Sequence, residues 1–195
     1  SPVVVPPAVY QLIKRAVTIS NQHFGFNAAI GPLVKLWHIG FADARVPSDL
    51  EIVQRRELIG SDEIVLDDER LSVYLPHVGM ELDLGAIAKG YIADRLQDYL
   101  RSQGHIAAIV NFGGNIVLMN AAPHKADGRW RIGVRDPLVR HGETIGLLTT
   151  TATSVVTSGV AERHLVADGQ TYHHIIDPET GYPHDNELAS VTVIS

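Results

Sequence analysis

Apolar positions in the first part of the chain recur at helical spacing. Val9, Leu12, Ile13, Ala16 and Val17 lie on one side of a stretch opened by Pro6 and Pro7, which predicts a helix with a buried face closing near Gly25. Ser48 and Glu51 stand at the spacing of a capping box, so a second helix runs from there to about Leu58, with Gly60 as its end. A third places Ile87, Ala88, Tyr91, Ile92, Leu96, Tyr99 and Leu100 on one face, Asp94, Arg95, Asp98 and Arg101 on the solvated side, and Gly104 at its stop. Short apolar runs predict strands at residues 3–5, 63–66, 71–75 and 78–82. After the third helix they continue at 106–110, 116–119, 130–135, 144–149, 153–157, 171–176 and 190–194. Helices early and strands late favour an α+β domain, a mostly antiparallel sheet with packed helices, over a regularly alternating fold. No repeat or linker divides the chain, so a single domain over residues 1–195 is expected.

Composition narrows the classes. A chain of 195 residues, 45% hydrophobic and 19% charged, can bury a real core and does not read as disordered. A formal charge of −6 argues against a nucleic-acid surface, so any anion is bound locally. With no cysteine there is neither a disulfide frame nor a thiolate zinc site. No apolar run approaches the ~20 residues of a membrane span, and the start Ser-Pro-Val-Val-Val-Pro-Pro carries no secretory signal. Residues 3–5 resemble a strand already in progress and residues 189–194 a core strand cut short, which predicts sequence missing at both ends.

Three segments carry candidate chemistry. Asp83-Leu-Gly-Ala-Ile-Ala-Lys89-Gly-Tyr sets a carboxylate, a glycine and a lysine at the mouth of the third helix, where unpaired N–H groups and the macrodipole favour phosphate. Neither the P-loop nor the dinucleotide spacing is present. Asn111-Phe-Gly-Gly-Asn115 suits a close backbone approach to a ligand, but a plain Gly-Gly hairpin is the more common meaning. In Tyr172-His-His-Ile-Ile-Asp-Pro-Glu-Thr-Gly-Tyr-Pro183 a strand runs into a turn. Strand alternation lets only one of His173 and His174 face inward, and His174 is favoured as a general base near neutral pH. Asp177 is expected to be anchored by turn hydrogen bonds. The Thr157-Ser-Gly segment with Glu162-Arg163 lacks the elbow of a serine hydrolase, and no zinc helix or calcium loop occurs.

Taken together with Gly31-Pro-Leu-Val-Lys-Leu-Trp37, these ordered motifs resemble the FAD:protein FMN transferase family, the ApbE group, over nearly the whole chain. The resemblance implies an ApbE-like (T-fold-like) domain, partial at both ends. It also implies magnesium-dependent transfer of FMN from FAD to a Thr or Ser hydroxyl of an acceptor protein, with release of AMP. By the same resemblance Gly25, Phe26, Asn27, Asp83, Lys89 and the backbone near Ile176 meet FAD, the carbonyl of Ala86 meets Mg2+, and His174 is the base. The family commonly has Asp at the place of Asn27 and an aromatic at that of Ala161. Its metal-binding Asp and Thr would follow the last residue and its flavin-stacking aromatic would precede Ser1, so this chain alone is expected to be poorly active. Competing readings are a flavin-binding module without catalysis and an FAD pyrophosphatase giving FMN and AMP. The family also implies an extracytoplasmic, lipid-anchored protein, its anchor not encoded here.

Overall fold

A computed structural model describes residues 1–139, 143–151, 153–160 and 163–195. The fold is α+β, and every strand pairing among the described residues is antiparallel. Among the described residues the strands form four small sheets instead of one. Contacts divide the chain into two compact units, residues 1–87 with 163–186 and residues 88–162 with 187–195.

The first unit holds β1 (Val3–Val4), α1 (Pro7–Ser20), α2 (Gly31–Trp37), α3 (Asp49–Arg56), a 3-10 turn (Ser61–Glu63), β2 (Val65–Asp67) and β3 (Ser72–Tyr74). β1, β3 and β2 form a three-stranded sheet in that order. The capping box forms as the sequence predicts: Ser48 Oγ accepts from the Glu51 N–H, and Glu51 reaches back to the Ser48 N–H. α1 ends at Ser20 rather than near Gly25, because Ser20 is buried and its hydroxyl is committed at both sides. It donates to the Ala16 carbonyl and accepts from the Ala28 N–H, each at 2.8 Å, which turns the chain back on the helix. Residues 78–82 are not a strand. A turn from His77 to Met80 interrupts them, leaving only a parallel bridge between Ile30 and Glu81. Tyr10, Ile13, Val17, Leu33, Trp37, Ile52 and Ile176 are among the side chains that close this unit's core.

α4 (Gly85–Ser102) starts in the first unit, and its body belongs to the second. The second unit adds β4 (Ala108–Phe112), β5 (Asn115–Met119), β6 (Trp130–Arg135), β7 (Thr144–Thr150), β8 (Ser154–Gly159) and, after the return of the chain, β11 (Ser190–Ile194). Its main sheet has the order β11-β8-β5-β4. Register places Val110 beside Val117 on one face, where Ala93, Leu96 and Leu100 of α4 cover them. The neighbouring residues Leu118 and Val155 face the other way, against Ile132, Trp130 and Leu148 of the β6-β7 hairpin. The apolar stripe expected on α4 is therefore rotated. Ala93 is fully buried, whereas Ile92 and Tyr99 are 51% and 60% exposed, because a small side chain brings the helix axis close to the sheet.

Between those segments, β9 (His164–Ala167) and β10 (Gln170–His173) form a hairpin belonging to the first unit. The strand predicted over residues 171–176 stops at His173, and β9 was not foreseen in the sequence at all.

Candidate functional site

Gly25, Phe26 and Asn27 fall in the turn that follows α1 and line an open cleft of about 310 Å³. Across it lie Asp177, Pro178 and Glu179, with Arg56, Ser61 and Asp62 completing the rim. The structure thus brings one predicted nucleotide segment to the turn that directly follows Ile176. Asn27 is not a free ligand group. Its Nδ2 donates to the Ile59 carbonyl at 2.9 Å and its Oδ1 accepts from the Ala29 N–H at 2.8 Å. Two hydrogen bonds to backbone fix the rim in place.

Asp83 is tied to the same region through its backbone N–H, which donates to the Ala28 carbonyl at 2.8 Å. Its side chain is engaged locally. Oδ1 accepts from the Gly85 N–H at 2.8 Å, so one of the donors expected to be open at the start of α4 is already taken by a carboxylate. A phosphate resting directly on that N–H would have to displace Asp83. Ala86 sits exposed in the first turn of α4. Lys89 is exposed and, among the described residues, has no ion-pair partner; it belongs to the second unit.

His174 follows the end of β10. Its backbone N–H and its Nδ1 both lie 3.3 Å from one acceptor, the Arg163 carbonyl, at the start of the opposite strand. A ring nitrogen facing a carbonyl carries the proton, which leaves Nε2 as the basic nitrogen. The Arg163 stem packs over Gly40, whose missing Cβ would lie 3.0 Å from the Arg163 Cδ. Ala161 and Glu162 lie outside the described residues.

The turn after His174 is held as the sequence implies. Asp177 Oδ1 accepts from the Glu179 N–H, Oδ2 accepts from the Thr180 hydroxyl, and the Gly181 N–H returns to the Asp177 carbonyl at 2.8 Å. Ile176 itself points into the core and bridges to Pro183 through its backbone. Trp37, fully buried, donates its indole N–H to the Gly181 carbonyl at 2.9 Å and packs against a tilted Tyr172 ring and an edge-on Tyr182 ring. Sequence reading placed Trp37 in a motif without giving it a role. Its role is to pin this turn from beneath.

Asn111-Phe-Gly-Gly-Asn115 is a two-residue hairpin in the second unit: Phe112 pairs with Asn115, and Gly113 and Gly114 take φ of +58° and +91°. No cluster of three or more His, Asp or Glu side chains suited to a metal occurs among the described residues. The carbonyl of Ala86 is one neutral oxygen, and magnesium favours near-octahedral oxygen coordination with carboxylate help. The described residues therefore do not fit a complete magnesium site. Nor is any helix among them long and apolar enough to cross a membrane.

The ApbE family model matches residues 1–195. Over 195 residues the chain is 50% identical to a FAD:protein FMN transferase of Klebsiella pneumoniae (strain 342), covering all of this chain and 59% of that protein. A FAD:protein FMN transferase of Treponema pallidum (strain Nichols) is 37% identical, with all of this chain and 57% of that one covered. Among solved structures, the ApbE protein of Thermotoga maritima superimposes with a TM-score of 0.89 at 35% identity, and covers all of this chain and 62% of that one. The apo flavinyl transferase ApbE of Pseudomonas stutzeri gives 0.80 at 30%, covering all of this chain and 60% of its own. The chain thus spans somewhat under two thirds of the length of the relatives it matches.

Proposed function

Because the chain belongs to the ApbE family, we propose that it transfers FMN from FAD to a Thr or Ser hydroxyl of an acceptor protein. One observation carries the chemistry: the Arg163 carbonyl holds His174 by its Nδ1 and leaves Nε2 free to receive a proton. In this reading Nε2 takes the proton of the attacking hydroxyl while that oxygen bonds to the FMN phosphorus. The bond from that phosphorus to the bridging oxygen breaks, and AMP leaves with the electron pair. Balance requires no oxidant and no further reactant.

The cleft between Gly25–Asn27 and Asp177–Glu179 offers the fixed rim against which the nucleotide would be held. Asp83 and the backbone near Ile176 are the further FAD contacts of the proposal, and Lys89 would neutralise charge on the phosphates. Magnesium dependence enters by family resemblance, through the Ala86 carbonyl, and would supply further charge neutralisation. So does an extracytoplasmic, lipid-anchored location. The donor set described above does not complete a metal site, and no step here depends on one.

The test uses FAD and an acceptor protein, followed by the mass of the flavinylated product. His174→Ala should lower transfer by roughly 10²–10⁴-fold while FAD binding, read by flavin fluorescence, changes little. Transfer within twofold of the parent would remove His174 from the mechanism. FMN and AMP formed equally fast without acceptor would replace transfer by hydrolysis.

A further inference from the structure

We propose that His173 is a positioning residue: as a neutral imidazole it clamps the backbone that carries His174 and Ile176, and protonation of that imidazole loosens the clamp. The inference deepens the proposed function and rests on His174 being its base.

His173 is the last residue of β10, directly opposite His164 in β9. Its ring folds forward over the end of the strand, and its Nδ1 accepts the Ile175 N–H at 3.2 Å. The backbone of His184 lies beside the ring and favours its protonated form. His184 in turn donates its own N–H to the Ile175 carbonyl at 3.0 Å. These two hydrogen bonds close a loop across the base of the 177–183 turn, with both polar groups of Ile175 engaged. Nδ1 can accept only if it lacks a proton, so the ring is held as the neutral tautomer protonated at Nε2. His174, one residue on, is held in the opposite state, with Nδ1 protonated toward the Arg163 carbonyl. Two adjacent imidazoles thus carry their protons on different nitrogens, each assigned by a backbone partner.

Adding a proton to His173 would set an N–H against the Ile175 N–H. That amide would lose its acceptor, and the segment leading from His174 to Ile176 would be free to shift. The surroundings oppose such protonation. Burial pushes the ring below the ordinary imidazole range; its contact to the His184 backbone works against this, nearby His174 and His184 add to the depression, and Asp185 opposes it. His164 stands directly opposite across the β9-β10 pairing.

The closing experiment has two arms on the full chain. Nitrogen NMR of histidine-labelled protein should show His173 at pH 7 protonated at Nε2 alone, with its titration below the ordinary imidazole range. In the second arm, His173→Phe removes the acceptor and should lower kcat for transfer about tenfold, with KM for FAD moving less than about twofold. His173→Asn, whose Oδ1 can take the place of Nδ1, should restore most of that loss and remove the acid limb that His173 contributes to the pH profile. Nδ1 protonation of His173 at pH 7, or equal activities of the Phe and Asn variants, overturns the proposal. If His174→Ala retains transfer, the base assignment fails while the imidazole spectrum still decides the clamp.

Discussion

Asn27 shows how one atom decides between two kinds of side chain. Position 27 carries an amide rather than a carboxylate, and the structure gives the amide's extra donor an employer: Nδ2 reaches the Ile59 carbonyl at 2.9 Å. A carboxylate there could still accept from the Ala29 N–H, but its second oxygen would face a carbonyl oxygen. Asn27→Asp should therefore destabilise the protein by about 1–3 kcal/mol at pH 7, measured by the urea midpoint. An unchanged midpoint would mean that Ile59 finds another donor. Residues of this kind were legible as candidates and not as partners, because the sequence names Asn27 and cannot name a carbonyl 32 positions away. His174 and His173 divide in the same way. Alternation of strand faces separated them, yet the strand ends at His173, and their roles come from the backbone groups each ring meets.

At the level of elements, local signals with their own chemistry were the readable ones. The Ser48–Glu51 capping box, the Asp177 turn and the β6 and β11 boundaries stand where the spacing places them. Elements fixed by distant contacts were not readable. α2 is a seven-residue helix whose buried Leu33 and Trp37 are explained only by the core they enter, and the stripe of α4 turns on Ala93, whose small size carries no hydrophobic signal. The 177–181 turn is the element most tightly built into its surroundings. Gly181 has φ of +78°, and a Cβ there would lie 2.5 Å from Ile52 Cγ2 of α3. Gly181→Ala combines left-handed strain with overpacking and should cost about 2–4 kcal/mol, seen as a lower denaturation midpoint. Because the same turn borders the cleft, the proposed function predicts that FAD affinity falls with it. A neutral effect on both would show that α3 yields readily.

For the molecule as a whole, fold class was legible and the partition was not: the order of helices and strands gives α+β, while the two units depend on which segments return to which core. Both units carry carboxylates with depressed titration. Arg45, followed by the backbone and hydroxyl of Ser48, holds Glu51 down to about 2 from 4.5. Lys14 and Tyr10 lower Asp68, and the Arg129 N–H with Arg131 lowers Asp127. A group depressed in the folded state adds stability above its ordinary value and loses it as pH falls through the folded one. His173 obeys the same sign, starting below about 6.5. Calorimetry across pH should therefore show a shallow decline of the melting temperature beginning below the imidazole range, then a steeper one from about pH 4.5 toward 2. A midpoint that rose on acidification through that lower window would contradict the ion pairs described here.

Trp37 and its acceptor Gly181 stand 144 positions apart, and the whole of residues 88–162 intervenes between the two segments of their unit. On the ribosome, at about 5–20 residues per second, that insertion takes roughly 4–15 seconds to emerge. For that interval an indole destined for complete burial has neither Tyr172 nor Tyr182 to cover it. Until the second segment arrives, that indole stays open to contact with other apolar surface.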